Sequence, residues 1–208
     1  MQHVVDYADV VVVSFSFTKP IHAAGMGGAL IADKSLTDEI ETNEEYLFRQ
    51  LRLPEINAAY LVRAWDKLHA NIEHLRDIYY EYSDVASALG FTPQTEYGIS
   101  TRIHAPFLTP GEWPAESRDE LLRRLQKRGV SGGNQFAAQS QLLTLASDCA
   151  ISKDTANRVV TLPTGGGFSA SQCQSVKQAF TSIANELHEE YAVKRGVPAE
   201  KRNNPVLS

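Results

Sequence analysis

The apolar and polar positions of this chain follow two different periods. Near the N-terminus the apolar positions are short and dense. Asp9 to Phe17 is mostly β-branched or aromatic, with an unbroken apolar run from Val10 to Val13. Such a run predicts a strand buried on both faces. A second run, Ala29-Leu30-Ile31-Ala32, follows the glycine-rich Gly25-Met26-Gly27-Gly28. Residues 4 to 32 therefore predict two strands around a turn. Asp33-Lys34-Ser35 reads as a polar turn, and Thr37, with Glu39 and Glu41 behind it, predicts the start of a short helix.

From Glu55 the period becomes helical. Pro54 suits the first turn of a helix, where its missing N–H costs nothing. Apolar positions then recur at helical spacing from Ile56 through Trp65, Ile72, Tyr79 and Val85 to Leu89, and Gly90 supplies a stop. This predicts one long helix, or two joined by a bend near His69 to Asn71. Tyr79, Tyr80 and Tyr82 cannot share one helix face, so one of them is expected in solvent. Further on, Ser100 to Leu108 predicts a strand that Pro106 confines to an edge or an end. Ser117 with Glu120 has the spacing of a capping box ahead of a helix from Leu121 to Arg128. Ala156 to Leu162 predicts a strand. Ser169 to Tyr191 predicts an amphipathic helix with Val176, Phe180, Ile183, Leu187 and Tyr191 on one face. The charged tail from Lys194 is expected to fray. Strands alternating with helices indicate an α/β or α+β layer, a small sheet covered by helices.

Composition narrows the classes. The 208 residues suffice for one large domain or two small ones. A net charge of −5 lacks the basic footprint of a nucleic-acid binder. No apolar run reaches the length that spans a bilayer, and Met1-Gln2-His3 opens without a basic region or cleavage site, so neither a membrane partner nor a signal peptide is expected. Cys149 and Cys173 stand far apart without metal-ligand spacing, as expected of reduced cysteines in a cytoplasmic protein with no metal site.

The candidate chemistry lies at Lys19. A lysine that follows an apolar strand is most often a solvated surface residue. Here the strand, the hydroxyls of Ser14, Ser16 and Thr18, the lysine and a glycine-rich turn stand in one block. An imine-forming enzyme needs an amine held rigidly and partly desolvated, beside small residues that leave space.

That block, Ser14-Phe15-Ser16-Phe17-Thr18-Lys19 followed by Gly25-Met26-Gly27-Gly28-Ala29, resembles the active-site segment of the DegT/DnrJ/EryC1/StrS sugar aminotransferases, which are fold-type I pyridoxal-phosphate enzymes. Further segments match in order: Arg52-Leu53-Pro54-Glu55-Ile56-Asn57-Ala58-Ala59, then Ser117 to Leu121 with Leu125 to Val130, then Val159-Val160-Thr161-Leu162-Pro163. The resemblance runs to about Leu187. A full enzyme of that family is much longer and carries its lysine near the middle. The resemblance therefore implies the C-terminal portion of such an enzyme, from a truncated frame or a split gene. Residues 1–68 would be the end of the large-domain sheet, and 69–208 the long linking helix and a small α+β C-terminal domain. The family's phosphate-binding loop, ring-covering aromatic and ring-nitrogen aspartate have no counterpart before Lys19; Asp6 and Asp9 stand too close to it.

The resemblance also implies roles. Lys19 would form the aldimine with pyridoxal 5'-phosphate and then act as base and acid in the proton shift. Ser14 would contact the cofactor phosphate. Gln50 would take the place of an asparagine that reaches the neighbouring subunit's cofactor phosphate in a homodimer. His22, near the lysine turn, is a candidate substrate contact. The three glycines would allow a tight backbone path near the cofactor and the dimer seam. Met26 replaces the family's acid between them, so the carboxylate of that position is lost. The substrates implied are a keto-sugar nucleotide and an amino donor, glutamate. Two other readings stay open. One is a non-catalytic remnant or half enzyme, serving as a structural or dimerisation module and completed by a missing N-terminal half. The other is a different pyridoxal-phosphate chemistry on the same scaffold. An isolated portion with open sheet edges is also expected to aggregate.

Overall fold

A computed structural model of the chain describes residues 6–43, 52–133 and 149–196. The chain divides into two compact units, Met1–Ile72 and Glu73–Ser208.

The first unit is built on an antiparallel ladder of β1 (Val10–Ser14) and β2 (Gly28–Ala32), in the register Val12↔Leu30 and Ser14↔Gly28. Facing residues share one side of a ladder. Val10, Val12, Ser14 and Leu30 therefore lie on one face, and Val11, Val13, Ala29 and Ile31 on the other. Val13 and Ala29 pack toward a small core of Phe15, Ile21 and Ala23, with Leu53, Leu61, Ala64 and Leu68 around it. The opposite face is open: Val12 is 77% exposed. The expectation of a strand buried on both faces is thus corrected, because only one side of the ladder is covered among the described residues. Helix α1 (Lys34–Asn43) starts before Thr37, since the Asp33 carbonyl already accepts the amides of Leu36 and Thr37. Thr37 is an interior residue whose hydroxyl donates back to the Lys34 carbonyl at 3.0 Å.

Helix α2 (Glu55–Trp65) has Pro54 as its N-cap rather than inside its first turn, with ψ 142. Its carbonyl accepts the Ala58 amide. Leu61 and Ala64 of α2 touch the small core, whereas Ile56, Val62 and Trp65 face solvent. The long periodic stretch is two helices. They separate at Asp66-Lys67, earlier than expected, where the Lys67 amide bonds to Ala64 three residues back. The division between the units falls within the second of them, α3 (Leu68–Ala88).

The second unit holds the main core. Helix α3 ends as a Schellman motif: the Phe91 amide bonds to Ala86 and the Gly90 amide to Ser87, with Gly90 at φ +77. A three-stranded antiparallel sheet follows in the order β3 (Thr92–Pro93), β4 (Ala105–Leu108), β5 (Val159–Leu162). β4 is its central strand, so of the edge or end expected from Pro106 only the end is found: Pro106 is the second residue of the strand. The proline is tolerated because β3 pairs only with Phe107 and Leu108, so position 106 has a partner on the β5 side alone. Helix α4 (Ser117–Lys127) begins before Leu121, and its capping box does not form. Ser117 is buried and donates to the Pro114 carbonyl, while Glu120 is taken up by Arg123 and Arg124. Helix α5 (Ala150–Arg158) occupies the start of the expected strand, which begins only at Val159. Helix α6 (Ala170–Lys194) carries a capping box that the sequence reading passed over, Ser169 with Gln172. Its stripe of Val176, Phe180, Ile183, Leu187 and Tyr191 is wholly buried. Tyr79 and Tyr82 join this core and Tyr80 points outward. Trp113 is buried against Phe91 and Tyr191, and its indole N–H donates to His188 Nδ1 at 3.2 Å. The tail beyond Gly196 lies outside the described residues.

Candidate active site

Lys19 stands in the loop that joins β1 to β2, five residues beyond the last strand residue rather than at a strand tip. The loop is tied down at several points. The Phe15 amide donates to Gly27 at 2.7 Å, the Ala23 amide to Phe15 at 2.9 Å, and the Lys19 amide to Ser16 at 3.0 Å. Phe15, Ile21 and Ala23 are buried. Asn57 of α2 donates its amide to the Ala23 carbonyl, and Asn71 of α3 to the Pro20 carbonyl at 3.4 Å. Lys19 is half-buried between these anchors. A loop fixed on both sides of a residue restricts where its side chain can reach, which is what a positioned amine requires.

The other candidates fall into place around it. Ser14 is exposed on the open face of the ladder. Its hydroxyl accepts the Ser16 amide at 3.4 Å and donates to the Ser16 hydroxyl at 3.2 Å, so both hydroxyls gather where the loop leaves β1. His22 is half-buried, and its Nδ1 accepts the Ala24 amide at 3.2 Å. This leaves Nε2 as the N–H of that ring. The bond closes over Ala24, whose φ of +50 is unusual for a residue with a Cβ. The His22 ring stacks on Tyr60 with centroids 5.4 Å apart and lies 5.9 Å from that of Phe17. Gln50 lies outside the described residues.

The glycines serve the protein's own packing. A Cβ on Gly28 would come within 2.9 Å of the Val13 carbonyl oxygen, and one on Gly27 within 3.0 Å of Leu53. Gly28 is required where the ladder closes on the backbone, whereas Gly27 fits closely against side chains. Met26 between them is 78% exposed. Sequence reasoning missed Asn57, Tyr60 and Asn71, the residues of α2 and α3 that brace the loop. The available signal was a polar Asn57 among the apolar positions of α2.

A second polar cluster, in the larger unit, gathers around the Glu96 carboxylate. Glu96 accepts the Ser100 amide at 2.8 Å, the Tyr80 hydroxyl at 2.8 Å and Arg76 at 3.0 Å, and it pairs with Arg102 at 3.0 Å. These donors, the Ser100 amide foremost, hold its carboxyl at about 2. Arg102 is buried with its guanidinium 3.9 Å over the Tyr79 ring. With its carboxylate already fully partnered, this cluster reads as structure rather than chemistry.

Comparison with known proteins bears on the loop and on the whole fold. The chain is similar in structure to the aminotransferase TlmJ from Streptoalloteichus hindustanus, with a TM-score of 0.74, 18% identity and coverage of 86% of this chain and 53% of that one. Against Helicobacter pylori PseC, an aminotransferase involved in the biosynthesis of pseudoaminic acid, the TM-score is 0.73 at 20% identity, covering 86% and 54%. Against DesV from S. venezuelae it is 0.70 at 22% identity, covering 84% and 51%. The chain spans about half the length of these structures, and at such identities the likeness establishes the fold: a mixed α/β portion of a fold-type I enzyme. No curated protein sequence matches the chain. The family model of the DegT/DnrJ/EryC1/StrS aminotransferases, which depend on pyridoxal phosphate, matches residues 2–181 and so takes in the Lys19 loop, the three-stranded sheet and the N-terminal part of α6. On that match, the chain belongs to the DegT/DnrJ/EryC1/StrS aminotransferase family.

Proposed function

We propose that this chain is the C-terminal part of a pyridoxal-phosphate-dependent aminotransferase that passes an amino group, with glutamate as donor, to a keto-sugar nucleotide. The observation that carries the reading is the half-buried Lys19 on a loop anchored on both sides, inside the region matched by the family model. The sugar class is favoured by the relatives, among them a putative sugar aminotransferase, Spr1654 from Streptococcus pneumoniae.

The donor set around the loop fits the cofactor: an amine for its aldehyde, and the Ser14 and Ser16 hydroxyls as donors for its phosphate. When bound, pyridoxal phosphate supplies an electron-withdrawing ring that stabilises charge at the substrate's alpha carbon. Lys19 would hold the cofactor through Nζ. The same Nζ would take a proton from the substrate carbon and return it elsewhere, so one residue would be both base and acid. Ser14 would orient the phosphate end. His22 offers its Nε2 hydrogen toward the substrate while Nδ1 stays committed to Ala24. By the family resemblance alone, Gln50 would serve the cofactor phosphate of the partner subunit in a homodimer. Cys149 and Cys173, neither in a disulfide, suit a cytoplasmic setting.

A second reading, a non-catalytic structural or dimerisation module, is favoured by one observation: the chain spans only about half of the solved aminotransferases it matches. Titration with pyridoxal phosphate separates the two. The catalytic reading expects a new near-visible absorption band that is lost in Lys19→Ala. A band that survives Lys19→Ala, or none even after the rest of the fold is supplied, leaves the module reading.

A further inference from the structure

Among the described residues other than glycine, only Ala24 and Arg102 have a positive φ, and Ala24 lies in the lysine loop. A residue with a Cβ keeps that conformation only where its surroundings impose it, and such outliers gather at working sites. What imposes it on Ala24 is a grip on a single peptide unit. Ala23 is fully buried, so its carbonyl needs a donor from the protein. Asn57 supplies it from its side-chain amide. On the opposite side of the same planar trans unit, the Ala24 N–H donates to His22 Nδ1 at 3.2 Å. In a rigid plane the two groups cannot turn independently. The direction of the carbonyl, set from α2, therefore fixes the direction of the N–H that His22 receives. Tyr60, three residues beyond Asn57 and so on the same side of α2, stacks on the His22 ring with 27° between the planes. One side of one helix thus sets both the edge by which the ring is engaged and the plane in which it lies.

We propose that Asn57 is a positioning residue for the reaction at Lys19: through the Ala23–Ala24 peptide it locks His22 as a neutral ring with its hydrogen on Nε2, a donor to an acceptor oxygen of the substrate and not a base. An imidazole whose Nδ1 lone pair already accepts an amide, and whose Nε2 carries the hydrogen, has no lone pair left to take a proton from a substrate. Moving the proton stays with Lys19 Nζ, and His22 contributes a hydrogen bond of fixed direction. Tyr60 is the second member of the device and holds the face of the ring. The donor role of His22 rests on the aminotransferase reading; the locking of the ring does not.

Heteronuclear NMR of the full 208-residue chain tests this, with its histidines isotopically labelled and His22 assigned from the signals lost in His22→Asn. At about pH 8, above the ordinary histidine range, wild type should show His22 with Nδ1 bare and Nε2 protonated, and an Ala24 amide protected from exchange. Asn57→Asp keeps the shape of the side chain and removes its donor. It should speed exchange of the Ala24 amide about tenfold, the loss of one hydrogen bond, and release His22 to a mixture of tautomers, while the amides of β1 and β2 exchange as before. Ala24→Gly tolerates either sign of φ. It should leave the tautomer unchanged, because the grip and not the residue sets it. A proton on Nδ1 or a mixture of tautomers in wild type overturns the proposal. So does an Asn57→Asp protein in which both the Ala24 amide and the His22 ring behave as in wild type, or an Ala24→Gly protein whose His22 is a mixture. The aminotransferase reading is scored separately. A locked His22 without Lys19-dependent absorption on adding pyridoxal phosphate rejects the catalysis and keeps the lock, whereas that absorption with an unlocked His22 does the reverse.

Discussion

Arg102 has a φ of +51, a backbone conformation that residues with a Cβ rarely adopt, and its side chain is buried. The surrounding contacts hold it there: the pair with Glu96, the face of Tyr79, and a hydrogen bond donated by its backbone amide to the Ser100 hydroxyl. The Glu96 carboxyl is held at about 2 against an ordinary 4.5, chiefly by the Ser100 amide and the Tyr80 hydroxyl. A carboxyl lowered in the folded state favours folding above its unfolded pKa and loses that contribution as pH falls toward the folded one. Wild type should therefore melt higher than Glu96→Gln at pH 7, and the gap should close between about pH 4.5 and 2. Thermal melts of the two proteins across that range check this; a gap that stays constant into acid refutes it. None of this cluster was legible in the sequence. Glu96 falls in no predicted element and Arg102 in the strand expected from Ser100, which begins only at Ala105; Ser100 links the two through its amide and its hydroxyl.

At the scale of elements, helix ends carry much of the definition. Gly90 sits at φ +77, and a Cβ there would meet nothing closer than Pro110 at 3.8 Å. The cost of Gly90→Ala is therefore conformational, about 1–2 kcal/mol. Gly98→Ala, where no atom lies within 4 Å and φ is not positive, should be near neutral. Urea unfolding of both variants measures the difference. The stop at Gly90 and the stripe of α6 were readable because both follow from local geometry and period. The expected strand start at Ala156 and capping box at Ser117 failed for a common reason. Short motifs have alternatives that tertiary contacts decide: Ala156 and Asn157 continue α5, so that the strand begins only at Val159, and Glu120 serves two arginines instead of a cap. Pro106 was legible in part: it stands at the end of β4 but not on an edge strand, because the rule applies to each side of a strand, and one side of β4 ends there.

Over the whole molecule, burial is uneven. The larger unit has twenty described residues in its core, whereas the core of the smaller has three. Stability follows buried apolar area, so the smaller unit should open first. In the lone chain, amides of β1 and β2 should exchange before those of β5 and α6; the reverse order would contradict this. The Lys19 block was legible because its residues are consecutive. Its bracing by Asn57, Tyr60 and Asn71 was not, because those residues come from helices 30 to 50 positions away in sequence. The chain has two tryptophans, and they divide between the units. Trp113 is enclosed in the larger core and bonded to His188, whereas Trp65 on α2 is 58% exposed. Each unit thus contains its own fluorophore. Emission at short wavelength belongs to the buried Trp113 and at long wavelength to the exposed Trp65, so loosening of the large core and events near the lysine loop can be followed as separate optical signals in unlabelled protein.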